Sequence, residues 1–111
     1  MAKVLTVATH SGDDPAKSSM AFITAIGALG AEIDVSIVLL GEGVYLAREA
    51  IARGVHGVGF PPFSELVKMV VAGRVPVYVC GPCSGVRGVT AQNLQTLNAS
   101  FIDEKELAKL V

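Results

Sequence analysis

Residues 75–88 read VPVYVCGPCSGVRG and contain both cysteines of the chain. Val75–Cys80 is a short apolar run rich in β-branched residues, which predicts a strand; Pro76 cannot donate to a ladder and belongs near its start or on an unpaired edge. A loop broken by glycine and proline follows and carries Cys83, the second of two cysteines. Loops at the carboxyl ends of parallel strands are where α/β proteins bind ligands. The stretch therefore predicts a cysteine at the rim of a pocket.

The residues around Cys80 favour a reactive thiol. Backbone N–H groups of the turn after a strand point toward such a sulfur, and they favour the thiolate, as a nearby cation does. Arg87 is the candidate cation, and the alternative is a side chain that simply faces solvent. The opposing interpretation of Cys80 is a buried strand cysteine that acts as a small hydrophobe. The position directly before a glycine turn favours a nucleophile.

The segments on either side of this stretch alternate between strand and helix patterns. The predicted strands are 4–8, 35–40, 75–80 and a short one around 97–99, with 55–60 as a weaker candidate. The predicted helices are 15–29, 44–53, 63–72 and one from 104 to the end of the chain, and 90–97 favours a helical turn. No hairpin dipeptide or internal repeat interrupts the alternation. This pattern implies βαβ units with right-handed crossovers. We expect an α/β fold, a three-layer α/β/α domain over residues 1–111 with a mainly parallel sheet of four or five strands.

Helix ends are marked by familiar local signals. Asp14 suits an N-cap with Pro15 at the first helical position, and Gly30 is the expected stop. Asp103 and Glu106 have the spacing of a capping box. Two apolar stripes on the helix 15–29 predict a second burial partner for it besides the sheet.

Composition narrows the classes of function. The chain has 111 residues, of which 51% are hydrophobic and 17% charged, and its net charge is −1. A high hydrophobic content in so small a domain favours self-association. A net charge near zero gives no electrostatic basis for binding nucleic acid. No apolar run approaches the ~20 residues of a membrane span, and Val4–Ala8 is too short for a signal peptide. We therefore expect a cytoplasmic protein without membrane contact, where two cysteines indicate redox, sulfur or metal chemistry rather than a structural disulfide.

Cofactor and metal sites are not expected. A zinc site needs four ligands, whereas only one Cys-x-x-Cys is present and His10 and His56 lie far from it in sequence. Asp13 and Asp14 would repel phosphate from the start of the first helix, so a nucleotide or flavin is not expected there. His10 follows the first strand and could reach the sheet edge that holds Cys80, but a solvated loop histidine is the favoured interpretation.

Three local patterns together resemble the DsrE/DsrF-like (DsrEFH/TusD-like) sulfur-relay family. They are the loop and helix of residues 12–29, the turn LLGEGVY at 39–45, and VYVC at 77–80 followed by Arg-Gly at 87–88. The resemblance spans nearly the whole chain. It implies a DsrEFH-like α/β/α fold, homo-oligomers built as dimers, trimers or hexamers, and sulfur donor and acceptor proteins as partners. It also implies that a strand-end cysteine carries sulfur as a persulfide, and Cys80 matches that position. Cys83 and His10 are not part of the pattern in the well-known subunits of sulfur relays.

The functional expectation is a sulfurtransferase-like sulfur carrier with a persulfide on Cys80. Cys83 could resolve that persulfide and release sulfide, or could be inert, and Arg87 could steady a persulfide anion. One alternative is a dithiol–disulfide redox protein that uses Cys80 and Cys83. Another is a non-catalytic oligomeric binding module in which the cysteines are incidental.

Overall fold

Four parallel strands form one sheet in the order β1-β2-β3-β4. A computed structural model describes residues 3–111, so Met1 and Ala2, which begin the predicted domain, lie outside the described residues. The strands are β1 (Lys3–Ala8), β2 (Asp34–Leu39), β3 (Val77–Cys80) and β4 (Ser100–Ile102). The helices are α1 (Pro15–Gly30), α2 (Glu49–Ala52), α3 (Phe63–Ala72), α4 (Gly81–Gly85) and α5 (Glu104–Leu110). Two 3-10 helices, Gly41–Ala47 and Ala91–Leu97, complete the described elements and are called the first and second 3-10 helix below.

The sheet confirms the predicted α/β architecture, with helices on both sides. Every strand pair is parallel, and each connection between neighbouring strands contains helix. Ala8 pairs with Leu39, and Leu39 pairs with Val79, so these side chains share one face. Cys80 is in register with Ile102 and lies on the opposite face from Val79, because side chains alternate along a strand. All four strands end at the same edge of the sheet, where Cys80 therefore lies.

The main core lies where α1 and α3 pack together against the sheet. Phe22 on α1 and Phe63 on α3 are both fully buried. Their ring centroids are 4.6 Å apart in an edge-to-face arrangement. The predicted periodicity of α3 is confirmed, since Leu66 and Val70 are buried with Phe63. Helix α3 is also the second burial partner expected for α1, although Met20 remains 53% exposed.

The predicted helix starts are confirmed. The Asp14 carboxylate accepts a hydrogen bond from the Lys17 backbone N–H at 3.1 Å, and Pro15 is the first residue of α1. Asp103 and Glu106 form the predicted capping box, with the Glu106 backbone N–H donating to the Asp103 carboxylate at 2.8 Å. These contacts join residues three apart, which is why sequence spacing alone could predict them.

The predicted helix 44–53 is wrong in its first half, where the chain forms the first 3-10 helix. Val44 and Ala47 are three residues apart, a spacing that suits a 3-10 turn as well as an α-helix. Arg48 has extended backbone angles and separates this segment from α2.

Two predicted strands are also wrong. Residues 55–60 form no strand, and residues 57–60 form a turn: the Phe60 backbone N–H donates to the Gly57 carbonyl at 3.0 Å, and Val58 is 96% exposed. The strand expected at 97–99 begins at Ser100, because Asn98 is left-handed (φ 52°) and the Ala99 N–H closes the second 3-10 helix on the Leu94 carbonyl. The predicted helical turn at 90–97 corresponds to that 3-10 helix.

Candidate functional site

Both cysteines lie at the carboxyl end of β3, half-buried and outside any disulfide. Cys80 is the last residue of the strand and caps α4, and the Cys83 backbone N–H donates to its sulfur at 3.4 Å. The Ser84 hydroxyl donates to the Cys80 carbonyl at 2.7 Å and fixes the turn. The contact from a backbone N–H to the Cys80 sulfur was expected from the sequence. The sequence predicted an irregular loop after Cys80, because Gly81 and Pro82 favour turns, whereas the structure has the short helix α4 there.

The surroundings of the two thiols shift their pKa values in opposite directions. The hydrogen bond from the Cys80 thiol lowers the pKa of Cys83, and the Gly41 backbone N–H and the positive charge of Arg87 lower it further. Burial raises the pKa of Cys80, which also donates its proton toward Cys83 and feels the negative charge of Glu104. The first proton to leave the pair is therefore lost from Cys83.

Arg87 connects the cysteine turn to the first 3-10 helix. Its Nη1 donates to the Cys83 carbonyl at 3.1 Å, and its Nε and Nη2 donate to Glu42 Oε1 at 3.2 and 3.0 Å. Only 24% of the Arg87 side chain is exposed. The hydrogen bonds to Glu42 raise the pKa of Arg87 above its already high ordinary value, so the guanidinium stays charged. The structure thus brings together Cys80, Cys83 and Arg87.

Glu42 is the site residue that sequence reasoning missed. It lies 45 residues before Arg87 in the chain, and no spacing rule links positions so far apart. The available signal was the turn LLGEGVY at residues 39–45, which served only as part of a family pattern.

The histidines lie elsewhere. His10 Nδ1 is 2.7 Å from Asp13 Oδ2, and this contact lowers the pKa of Asp13. His10 follows β1, which β2 separates from β3, and the loop pairing with Asp13 agrees with the favoured interpretation. His56 Nε2 is 2.8 Å from the Phe60 carbonyl oxygen. Among residues 3–111, no three side chains of His, Cys, Asp or Glu form a cluster able to hold a metal ion.

Two surface cavities lie away from the cysteines. One, of about 450 Å³, lies between α2 and α3 and has an apolar floor that includes Leu46 and Val67. The other, of about 400 Å³, lies along the edge strand β1 and includes Val7 and Met20. Neither cavity is lined by a cysteine, so the chemistry of the thiol pair does not extend into them.

Replacing Arg87 with alanine should slow alkylation of Cys83 at neutral pH. The thiolate is the reactive form, so losing the cation raises the pKa of Cys83 and lowers the reactive fraction. We expect a rate with iodoacetamide roughly threefold lower at pH 7, and equal rates well above the ordinary pKa of a thiol. Arg53→Ala is the matched control, because Arg53 forms an exposed ion pair with Glu49 on α2. Equal rates for Arg87→Ala and the unaltered protein at pH 7 would contradict this role of Arg87.

Comparison with known proteins yields one family and several relatives. A family profile described as the DsrE/DsrF-like family matches residues 2–111. A protein of Methanocaldococcus jannaschii, MJ0989, is 34% identical over 91 residues, which are 82% of this chain and 74% of that protein. The crystal structure of the YchN protein of E. coli superposes with a TM-score of 0.77 at 20% identity, covering 99% of this chain and 92% of YchN. The structure of the BT1422 protein of Bacteroides thetaiotaomicron superposes with a TM-score of 0.69 at 15% identity, covering 96% of this chain and 84% of the BT1422 chain. These two structures support the fold.

Within residues 3–111, no helix has both the length and the apolar character needed to cross a bilayer.

Proposed function

Because the chain belongs to the DsrE/DsrF-like family, we propose that it is a sulfur carrier that holds sulfane sulfur as a persulfide at the pair Cys80 and Cys83. The observation that carries the proposal is the thiol pair itself: two half-buried sulfurs at a strand end, one of them activated by a hydrogen bond, a backbone N–H and a cation. Such a pair lets one sulfur act as nucleophile while the other holds the proton. A family sulfur-relay role would use this chemistry.

The surroundings suit an anionic sulfur. Persulfide transfer needs a thiolate that is accessible and moderately nucleophilic, and both cysteines keep part of their surface open. Arg87 is held by Glu42 and contributes a fixed positive charge beside Cys83. A fixed cation stabilises a thiolate or persulfide anion without reorganising during the transfer.

The partners of this proposed carrier are a sulfur donor protein, an acceptor protein and further copies of the chain. Exposed apolar side chains support an assembly surface on one side: Val7 of the edge strand β1 is 45% exposed and Met20 of α1 is 53% exposed. Both line the cavity along β1, which is an edge strand of the sheet formed by residues 3–111. The proposed setting is the cytoplasm, where thiols remain reduced.

Mass spectrometry after incubation with glutathione persulfide tests the function. We expect the reduced protein to gain one sulfur atom on residues 80–83, or to form the Cys80–Cys83 disulfide with release of sulfide. The double variant Cys80→Ser/Cys83→Ser is the control and should do neither, while melting at a temperature close to that of the unaltered protein. If the protein yields no sulfur adduct, no disulfide and no sulfide above the double variant, the proposal fails.

The close approach of two free cysteines, with the Cys83 backbone N–H 3.4 Å from the Cys80 sulfur, favours a second candidate, a dithiol–disulfide redox protein. This candidate needs no sulfane sulfur and predicts that glutathione disulfide alone oxidises the pair at a measurable two-electron potential. A pair that stays reduced in excess glutathione disulfide, yet reacts with glutathione persulfide, rules out this candidate and favours the sulfur carrier.

A further inference from the structure

The two sulfurs of the thiol pair have charged neighbours of opposite sign. Arg87 lies on the Cys83 side, with Nη1 on the Cys83 carbonyl, and the Gly41 backbone N–H faces the Cys83 sulfur. Glu104 lies on the Cys80 side, because Cys80 is in register with Ile102 at the end of β4 and α5 begins two residues later. Backbone N–H groups act on both sulfurs, those of Gly41 and Cys83 on the Cys83 sulfur and that of Cys83 on the Cys80 sulfur, so these donors alone do not separate the two. The side-chain charges separate the two sulfurs, because a cation lies beside Cys83 and a carboxylate lies near Cys80.

We propose that Cys83 is the sulfur that first attacks the incoming sulfane sulfur, and that Cys80 is the thiol that afterwards resolves the Cys83 persulfide. This inference rests on the proposed function and assigns roles within the same site. It places the persulfide one helical turn beyond the strand-end position that the family resemblance implies. Attack by Cys83 requires no loss of the Cys80 proton.

The first step transfers one sulfur atom from a donor persulfide. The Cys83 thiolate attacks the outer sulfur of the donor, a new bond forms between that sulfur and Cys83 Sγ, and the sulfur–sulfur bond of the donor breaks. The donor leaves as a thiolate with the electron pair. Arg87 faces the negative charge of Cys83 before the step and that of the persulfide after it.

The second step occurs when no acceptor takes the sulfur. Cys80 loses its proton and attacks Cys83 Sγ, so that the Cys80–Cys83 disulfide forms and the persulfide bond breaks. The two cysteines lose two electrons, the sulfane sulfur gains them, and the proton leaves with the resulting sulfide. A dithiol reductant then restores both thiols.

Glu42 is a positioning residue in this scheme. It touches neither sulfur, but it accepts two hydrogen bonds from Arg87 and so holds the guanidinium at the cysteine turn. Without the carboxylate, the Arg87 side chain regains access to solvent and spends less time beside Cys83. Glu42 therefore acts on Cys83 through Arg87.

Single-cysteine variants assign the entry sulfur. Cys80→Ser and Cys83→Ser are each incubated briefly with glutathione persulfide, quenched with iodoacetamide and analysed as peptides. We expect Cys80→Ser to accumulate a stable persulfide on Cys83 without releasing sulfide, and Cys83→Ser to acquire sulfur on Cys80 at least about tenfold more slowly. The unaltered protein should release one sulfide for each disulfide formed.

The outcomes separate this inference from the proposed function. Sulfur on Cys80 of Cys83→Ser at the rate of the unaltered protein overturns the role of Cys83 and leaves the sulfur carrier intact. No reaction of either single variant or of the unaltered protein overturns both. A persulfide on Cys83 that persists in the unaltered protein without disulfide or sulfide overturns the resolving role of Cys80.

A pH profile tests the positioning role of Glu42. In Glu42→Gln, alkylation of Cys83 should fall about threefold at pH 7 and recover fully at high pH, which a general loss of structure would not produce. Glu49→Gln is the matched control, since Glu49 forms an exposed ion pair with Arg53, the residue that follows α2. An unchanged profile in Glu42→Gln overturns the positioning role.

Discussion

Gly43→Ala is expected to lower the free energy of unfolding by about 3 kcal/mol. A Cβ atom at position 43 would overlap the carbonyl oxygen of Ala8 and lie 2.7 Å from the Ala8 carbonyl carbon and 3.3 Å from the Thr9 nitrogen. All three are backbone atoms, so no side chain can rotate away to make room. The first 3-10 helix must therefore move off the end of β1.

This substitution should also affect the thiol site. Gly41 and Glu42 precede Gly43 in the same 3-10 helix, and they provide the N–H near Cys83 and the carboxylate that holds Arg87. A shift of the segment separates these groups from the cysteine turn. We expect Cys83 of the folded variant to react more slowly with iodoacetamide at pH 7, in the same direction as Arg87→Ala.

Urea unfolding followed by circular dichroism measures the loss of stability. Gly27→Ala is the matched control, because a Cβ at Gly27 meets no atom within 4 Å and the residue lies inside α1. That change should stabilise the protein by about 0.5–1 kcal/mol, since glycine is a poor helix former. Equal stabilities for Gly43→Ala and the unaltered protein would show that the segment does not pack on Ala8 as described.

Phe63→Ala should destabilise the protein by about 3–5 kcal/mol. The side chain is fully buried at the start of α3, and its ring packs edge-to-face on Phe22 with centroids 4.6 Å apart. Truncation removes the apolar contact and leaves a cavity between α1 and α3, which the surrounding helices fill only in part. Such a loss is a large fraction of the ~5–15 kcal/mol that typically separates the folded from the unfolded state.

The matched control is Phe101→Ala. Phe101 lies on the edge strand β4 and is 38% exposed, so the same truncation should cost about 1 kcal/mol. Both variants can be compared by urea unfolding at 25 °C. If Phe63→Ala proves no more costly than Phe101→Ala, Phe63 does not occupy the centre of the core.

Sequence reasoning located most of the candidate site because three of its residues are neighbours in the chain. Cys80, Cys83 and Arg87 lie within eight positions, and a strand that ends in cysteine before a glycine turn indicates where they sit in a parallel sheet. The different roles proposed for Cys83 and Cys80 could not be predicted from the sequence. It depends on Glu42 and Glu104, which reach the turn only when the first 3-10 helix and the end of β4 come to the same edge of the sheet.

Locally determined elements were predicted and context-dependent ones were not. The start of α1 at Asp14 and the start of α5 at Asp103 depend on hydrogen bonds between residues three apart. The strand expected at 55–60 had a plausible composition, but in the described part of the chain this segment is not in the sheet, and residues 57–60 form a turn. A segment forms a strand only when it pairs with another strand, and this pairing depends on the tertiary structure.

Spacings of a few residues along the chain were enough to predict the alternation of strands and helices, the helix caps and the position of both cysteines at the end of β3. Which sulfur lies beside the Arg87 cation and which lies nearer the Glu104 carboxylate depends on how the chain folds. Electrostatic energy depends on distance in space, and folding brings residues 42, 87 and 104 to one turn although the chain separates them widely.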